Sequence, residues 1–194
     1  ASTLLALDAL HDAPVGRAGL LRIGAALGSD VPFFLCGSPL AFAWGRGERL
    51  LTLPPLPRRP VLVAAPDFSI STPDAFRALD SYVEENDAGL ESYALEGAAL
   101  VSWREIAALG VNDFEPPTFA RFPQLRRVRD ALLAAGADLA LLSGSGAALF
   151  AVFPDDDARD RAASELRTRF PTLRLFETAT ATTVPGPAGT GEFG

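Results

Sequence analysis

The sequence predicts an α+β fold in two parts, and three observations carry that prediction. Apolar residues recur at helical spacing in several segments, short apolar runs bounded by Gly and Pro stand between them, and a cluster of prolines interrupts the chain near residue 57. Beyond the prolines the elements follow the order β-α-α-α-β-β-α-β, which suggests an antiparallel sheet with helices on one face. At 194 residues and 48% hydrophobic, the chain suffices for one full domain and part of another and is too apolar to be disordered throughout.

Each element has a local reason. Leu4, Leu7 and His11 lie at helical spacing, and the helix starts without a cap, as if entered midway. Residues 1–7 are apolar at once and without positive charge, so they are not expected to form a signal peptide. Pro14 can open a second helix carrying Leu20, Ile23 and Leu27, with Gly28 expected to close it in a left-handed turn. Leu40, Phe42 and Trp44 alternate with Ala41 and Ala43, Gly45-Arg46-Gly47 turns the chain, and Leu51 and Leu53 continue: a hairpin.

After Pro54, Pro55, Pro57 and Pro60, residues 61–65 read as a buried strand. Thr72 suits an N-cap and Pro73 the first helical position, with Phe76, Leu79 and Val83 as the apolar stripe. Residues 84–91 are acidic and expected to form an exposed loop, while Leu95, Ala99, Trp103 and Ile106 suggest a helix. Residues 112–117 should be extended ahead of their prolines, and Leu125, Val128 and Leu132 mark a helix closed by Gly136. Residues 139–142 and 148–153 form a hairpin across the turn 143–147. Asp155 to Asp157 can cap a helix with Ala158, Ala162, Leu166 and Phe170, residues 173–176 give a last strand, and a loose tail is expected from Thr182 onward.

Composition excludes several functions. The formal charge is −7, so no basic surface for nucleic acid is implied; the arginines within 121–129 fall on a helix with an apolar face and read as its solvated side. Cys36 has no partner for an internal disulfide, and no stretch reaches the roughly 20 apolar residues that cross a bilayer. A cytoplasmic protein without a metal-ligand cluster is expected.

Two features can carry chemistry, each with a plainer alternative. Asp30 stands between the glycine turn and the apolar run of Pro32, Phe33 and Phe34. It is either a turn residue accepting hydrogen bonds from nearby amides, or a carboxylate held at a pocket wall to take a proton from a hydroxyl. The turn of Ser143, Gly144, Ser145, Gly146 and Ala147 is either a hairpin connection or a run of backbone N–H groups around an anion.

Taken together, the stretches LGSDVPFFL, GRGERL, STPDAFRALD, NDFEPPTFARFPQL and LLSGSGAALFAVF resemble the GHMP kinases, in that family's order. The likeness is strongest to the branch whose acceptor is the 2-hydroxyl of cytidine diphosphate methylerythritol, in the non-mevalonate route to isoprenoids. The resemblance implies the C-terminal part of a two-domain fold: an incomplete N-terminal ATP-binding domain at 1–57, a ferredoxin-like α+β sandwich at 58–180, and a disordered tail at 181–194. It implies ATP and Mg²⁺, and a small-molecule substrate rather than nucleic acid or membrane. Asp30 would be the catalytic carboxylate, Thr72 and Phe76 would contact the cytidine, and Gly144, Ser145 and Gly146 would lie beside the phosphates. The family's Gly-Gly-Gly-Ser-Ser phosphate loop and the strand segment before it do not occur in this sequence, so a truncated, inactive chain is one expectation. A non-catalytic module binding a nucleotide or partner, and a GHMP kinase for homoserine or a mevalonate derivative, are the other readings.

Overall fold

Helical spacing and capping signals place most of the elements in a computed structural model that describes residues 1–11, 14–86 and 100–184. The chain divides into two units, Ala1–Pro57 with Ala181–Gly194, and Arg58–Thr180. Each is described by itself.

The first unit holds α1 (Ser2–Leu10), α2 (Gly16–Leu27), the short α3 (Val31–Leu35) and a hairpin of β1 (Ala41–Trp44) and β2 (Arg49–Thr52). Pro14 lies ahead of α2 rather than opening it; the Asp8 carboxylate accepts from the Val15 N–H at 2.6 Å and links α1 to the start of α2. α2 meets α3 closely at Gly24, where a Cβ would stand 2.7 Å from the Leu35 side chain of α3. Gly28, expected in a left-handed turn, has φ 170°, which is extended backbone open to any residue. In the hairpin Phe42 pairs with Leu51, and the Phe42 and Trp44 rings stack at 5.9 Å. Its Gly47 (φ 106°) approaches the Ser29 carbonyl so closely that a Cβ would lie 3.1 Å from that oxygen. Backbone N–H groups of Glu48 and Arg46 hold the Glu48 carboxyl below its ordinary range.

The second unit contains β3 (Pro60–Ala65), α4 (Thr72–Asn86), α5 (Trp103–Leu109), α6 (Glu115–Arg121), α7 (Pro123–Ala134), β4 (Leu139–Leu142), β5 (Leu149–Val152), α8 (Asp156–Arg169) and β6 (Arg174–Ala179). Its sheet has the order β4-β5-β3-β6 with every pairing antiparallel, the ferredoxin-like arrangement of an α+β unit. Alternation along the strands puts Leu62, Ala64, Ala140, Leu142, Leu149 and Ala151 on one face, where they pack with Leu125, Val128 and Leu132 of α7 and Ala162, Ala163 and Leu166 of α8. Helices were expected on this face alone. The opposite face, with Val61, Leu139 and Val152, is also apolar and packs against Trp103 and Ala107 of α5.

Several ends follow their chemistry closely. Asp155 accepts from the Ala158 N–H at 2.7 Å and starts α8, and Ser102 accepts from the Glu105 N–H to start α5. α7 ends in a Schellman motif: Ala137 N–H reaches Leu132 O, Gly136 N–H reaches Leu133 O, and Gly136 has φ 96°. Other ends correct the sequence. α6 begins at Glu115 with both prolines in its first turn, where amides have no helical acceptor and a missing N–H costs nothing, so 112–117 is not extended throughout. α4 continues through Glu84, Glu85 and Asn86, so the acidic stretch starts as helix. The rest of that stretch, the positions Leu95 and Ala99, and the tail from residue 185 lie outside the described residues.

Leu132 is fully buried between the sheet and its neighbours in the core. Leu132→Ala is expected to destabilise the second unit by about 2–5 kcal/mol. A urea midpoint that falls with an unchanged m-value would show this, and an unmoved midpoint would contradict the packing described.

Candidate functional site

The turn between β4 and β5 is built by glycine geometry and by what its amides leave undone. Ser143 N–H donates to Ala148 O at 2.8 Å and Gly146 N–H to Ser143 O at 3.0 Å, which closes the turn. Gly144 (φ 55°) and Gly146 (φ 92°) take positive φ, where a side chain is strained. Gly146 is also crowded: a Cβ would stand 3.2 Å from Leu142 and 3.3 Å from Ile70. The N–H groups of Gly144, Ser145 and Ala147 have no acceptor among the described residues, although Ala147 is buried. Only Ala147 is buried, where an unmet amide is unusual, while Gly144 is exposed and Ser145 half-buried; free N–H groups close together on one turn are the kind of arrangement that can receive an anion.

Thr72 and Phe76 of α4 lie beside this turn or its supports. The Thr72 hydroxyl is 3.2 Å from the Ser145 hydroxyl. Thr72 is the first helical residue rather than the N-cap, since the first-turn bond runs from Ala75 N–H to Ser71 O and makes Ser71 the cap position. Phe76 is not core: it is 51% exposed, and its ring meets Phe114 edge-on at a centroid distance of 5.0 Å. The buried residue of α4 is Ala75 instead. A half-exposed ring held by an aromatic edge offers a flat apolar face to a planar ligand.

Asp30 lies in the first unit, just ahead of α3. Its carboxylate is exposed and makes no hydrogen bond or ion pair among the described residues, so it does not act as the turn acceptor that one sequence reading allowed. Pro32 behind it is buried, and the Phe33 and Phe34 rings meet edge-on at 5.3 Å. No group of three His, Cys, Asp or Glu side chains converges among the described residues, so none there forms a cage for a cation.

Sequence reasoning missed three residues at the turn. Asn112 donates to Leu142 O at 2.8 Å and to Gly144 O at 2.9 Å; the buried Glu115 accepts from Leu142 N–H at 2.7 Å; Phe114 supports Phe76. The signal was the pair of polar residues three apart in Asn112-Asp113-Phe114-Glu115, ahead of a helix whose other face is core.

Comparison with known proteins matches residues 94–172 to the family described as GHMP kinases C terminal. The chain is 37% identical over 173 residues to the 4-diphosphocytidyl-2-C-methyl-D-erythritol kinase of Moorella thermoacetica, covering 88% of this chain and 60% of that protein. It is 37% identical over 172 residues to the enzyme of the same name from Prosthecochloris aestuarii, covering 86% and 58%. A crystal structure of 4-(cytidine 5'-diphospho)-2C-methyl-D-erythritol kinase superposes with a TM-score of 0.68 at 36% identity, over 90% of this chain and 60% of that one. A homoserine kinase from Cytophaga hutchinsonii superposes with a TM-score of 0.58 at 19% identity, covering 80% and 52%, and is alike in fold alone. The chain thus spans less than two thirds of the length of these relatives.

The two glycines of the turn should differ in cost. Gly144→Ala meets only the backbone penalty, about 1–2 kcal/mol. Gly146→Ala meets that penalty and the Leu142 and Ile70 contacts as well. Urea unfolding of both variants is expected to rank Gly146→Ala as the more destabilised, and the opposite ranking would mean that the turn is built differently.

Proposed function

We infer, for a chain that belongs to the GHMP kinases, that it serves the transfer of the γ-phosphoryl group of ATP to the 2-hydroxyl of 4-(cytidine 5'-diphospho)-2-C-methyl-D-erythritol, in the cytoplasm. The observation that carries this reading is the turn at residues 143–147, with three free amides and the Thr72 and Ser145 hydroxyls together. Identity of 37% to relatives bearing that name supports the choice of acceptor.

In this reading the free amides of Gly144, Ser145 and Ala147 receive phosphate oxygens, and the glycines let the backbone approach them closely. Thr72 and the exposed face of Phe76 hold the cytidine end of the acceptor, with Phe114 keeping the Phe76 ring in place. Asp30 has a free carboxylate and takes the proton of the acceptor hydroxyl as its oxygen bonds to the γ-phosphorus. The bond from that phosphorus to the β–γ bridging oxygen breaks, and ADP carries the electron pair away. Phosphoryl transfer asks mainly for position and charge stabilisation, so a single unshared carboxylate is a sufficient base. Mg²⁺ enters as part of the substrate, Mg·ATP, where it bridges phosphate oxygens.

A second reading has its own observation. Leu7, Leu10, Val15, Ile23 and Leu27, on or beside α1 and α2, are exposed, as in a non-catalytic module that docks a partner through them. A chain that stays monomeric and does not enhance the fluorescence of an apolar-surface dye would count against that module.

Phosphorus NMR with Mg·ATP and the cytidine diphosphate methylerythritol tests the kinase reading, on this chain alone and on the chain extended by the N-terminal segment of the Moorella relative. Formation of a 2-phosphate by either supports it, and formation by neither removes it. In whichever form is active, Asp30→Asn is expected to lower turnover by about 10²–10⁴-fold while leaving substrate affinity within a few-fold. Near-normal turnover would take Asp30 out of the mechanism.

A further inference from the structure

β4 is an edge strand, and its last residue has backbone groups that the sheet cannot satisfy. The bond from Ser143 N–H to Ala148 O fixes which residues exchange hydrogen bonds with β5, and in that alternation Leu142 turns its N–H and C=O off the free edge. Both are met by side chains from one short stretch at the start of α6. Glu115 Oε1 accepts from Leu142 N–H at 2.7 Å, and Asn112 Nδ2 donates to Leu142 O at 2.8 Å. The same Nδ2 donates to Gly144 O at 2.9 Å, while Asn112 Oδ1 accepts from Phe114 N–H at 3.0 Å, which fixes the amide's orientation. Glu115 is only 8% exposed and has the Arg129 guanidinium 3.9 Å from its other oxygen, so the carboxylate is held as well as holding.

The bond to Gly144 O has a consequence for the free amides. A trans peptide is planar and its C=O and N–H point in opposite directions. Gly144 O and Ser145 N–H belong to one such unit, so the bond from Asn112 turns the Ser145 N–H the other way. Without that donor the peptide after Gly144, whose missing side chain leaves its backbone torsions open, can flip, and a carbonyl oxygen would then face an incoming anion.

We propose that Asn112 is a positioning residue of the anion-binding turn, aiming the Ser145 N–H through Gly144 O, and that Glu115 fixes the strand end on which Asn112 acts. The proposal rests on the reading of residues 143–147 as a phosphate site. It assigns to the Asn112–Glu115 pair a role that no contact with substrate would reveal.

The test uses the ¹⁵N-labelled chain with Mg·ATP as probe. Titration is expected to shift the Gly144, Ser145 and Ala147 amides. Asn112→Asp keeps the size of the side chain but removes the donor, and should weaken binding by about tenfold or more while hydrogen exchange at Leu62 and Ala151 stays unchanged. Glu115→Gln keeps an acceptor for Leu142 N–H and should bind within about twofold of the parent, whereas Glu115→Ala should speed Leu142 exchange and weaken binding. Equal affinity in Asn112→Asp and the parent would overturn the positioning role with the phosphate site intact. If the parent shows no shift at residues 143–147, the phosphate site itself fails and the role falls with it. Should Asn112→Asp alter exchange at Leu62 and Ala151, Asn112→Ala decides by the same two readouts.

Discussion

A four-stranded antiparallel sheet with apolar side chains on both faces must be covered twice, and the second unit is arranged around that requirement. Its central strand β3 is paired along its length to β5 and β6, so both its edges are satisfied and its residues can be buried outright. Small side chains set how near the cover can come. Ala64, Ala140 and Ala151 on the sheet face Ala131 of α7 and Ala162 and Ala163 of α8 within one cluster, and the larger Leu62, Leu125, Leu132, Leu149 and Leu166 fill the space between. Close helices and interleaved leucines make this core dense, and dense cores hold their surface turns in fixed places. Polar links at the rim, Arg167 with Glu177 and Arg159 with the Thr178 carbonyl, tie α8 to β6 without entering the core.

From that core the site follows by short steps. α7 is stopped at Gly136, which brings the chain into β4 after two further residues. β4 is short and lies at the edge, so its end is free to carry an unusual turn, and the turn's glycines supply the conformations that other residues resist. α6 closes over that end because Phe119 and Thr118 are buried with the core while Glu115, at its start, reaches Leu142. In the first unit Asp30 is placed in a different way. A short helix with a buried proline and leucine packs against Gly24, and the aspartate at its start is left with nothing to bond.

Local signals made much of this legible. The apolar spacing of Leu125, Val128 and Leu132, the glycine after them, and the aspartate before Ala158 each specify a helix or its end through contacts within a few residues. The α+β order of elements and the pairing of β4 with β5 came from the same kind of evidence. Misreadings arose where one residue allows two local outcomes. Pro116 and Pro117 suit an extended chain or a first helical turn, and the helix was selected by the burial of Pro117, Thr118 and Phe119. Phe76 suited a core stripe by spacing, but α4 turns Ala75 inward and leaves the phenyl ring half exposed. The bonds from Asn112 and Glu115 to Leu142 join residues 30 and 27 positions apart, and no periodicity or turn signal encodes such a distance.

The stretch from Asn112 to Glu115 makes the side-chain hydrogen bonds to Leu142 and Gly144 within a single turn of chain. The bonding is therefore compact: two short peptide pieces and the end of one edge strand contain these four hydrogen bonds. A different ferredoxin-like sheet with a helix starting over its edge strand could receive both pieces as a graft. The connection ahead of Asn112 could likewise change length without altering these bonds, because each of them starts from Asn112 or a residue after it. Natural variation in that connection would then fall on the surroundings of the site and spare its backbone.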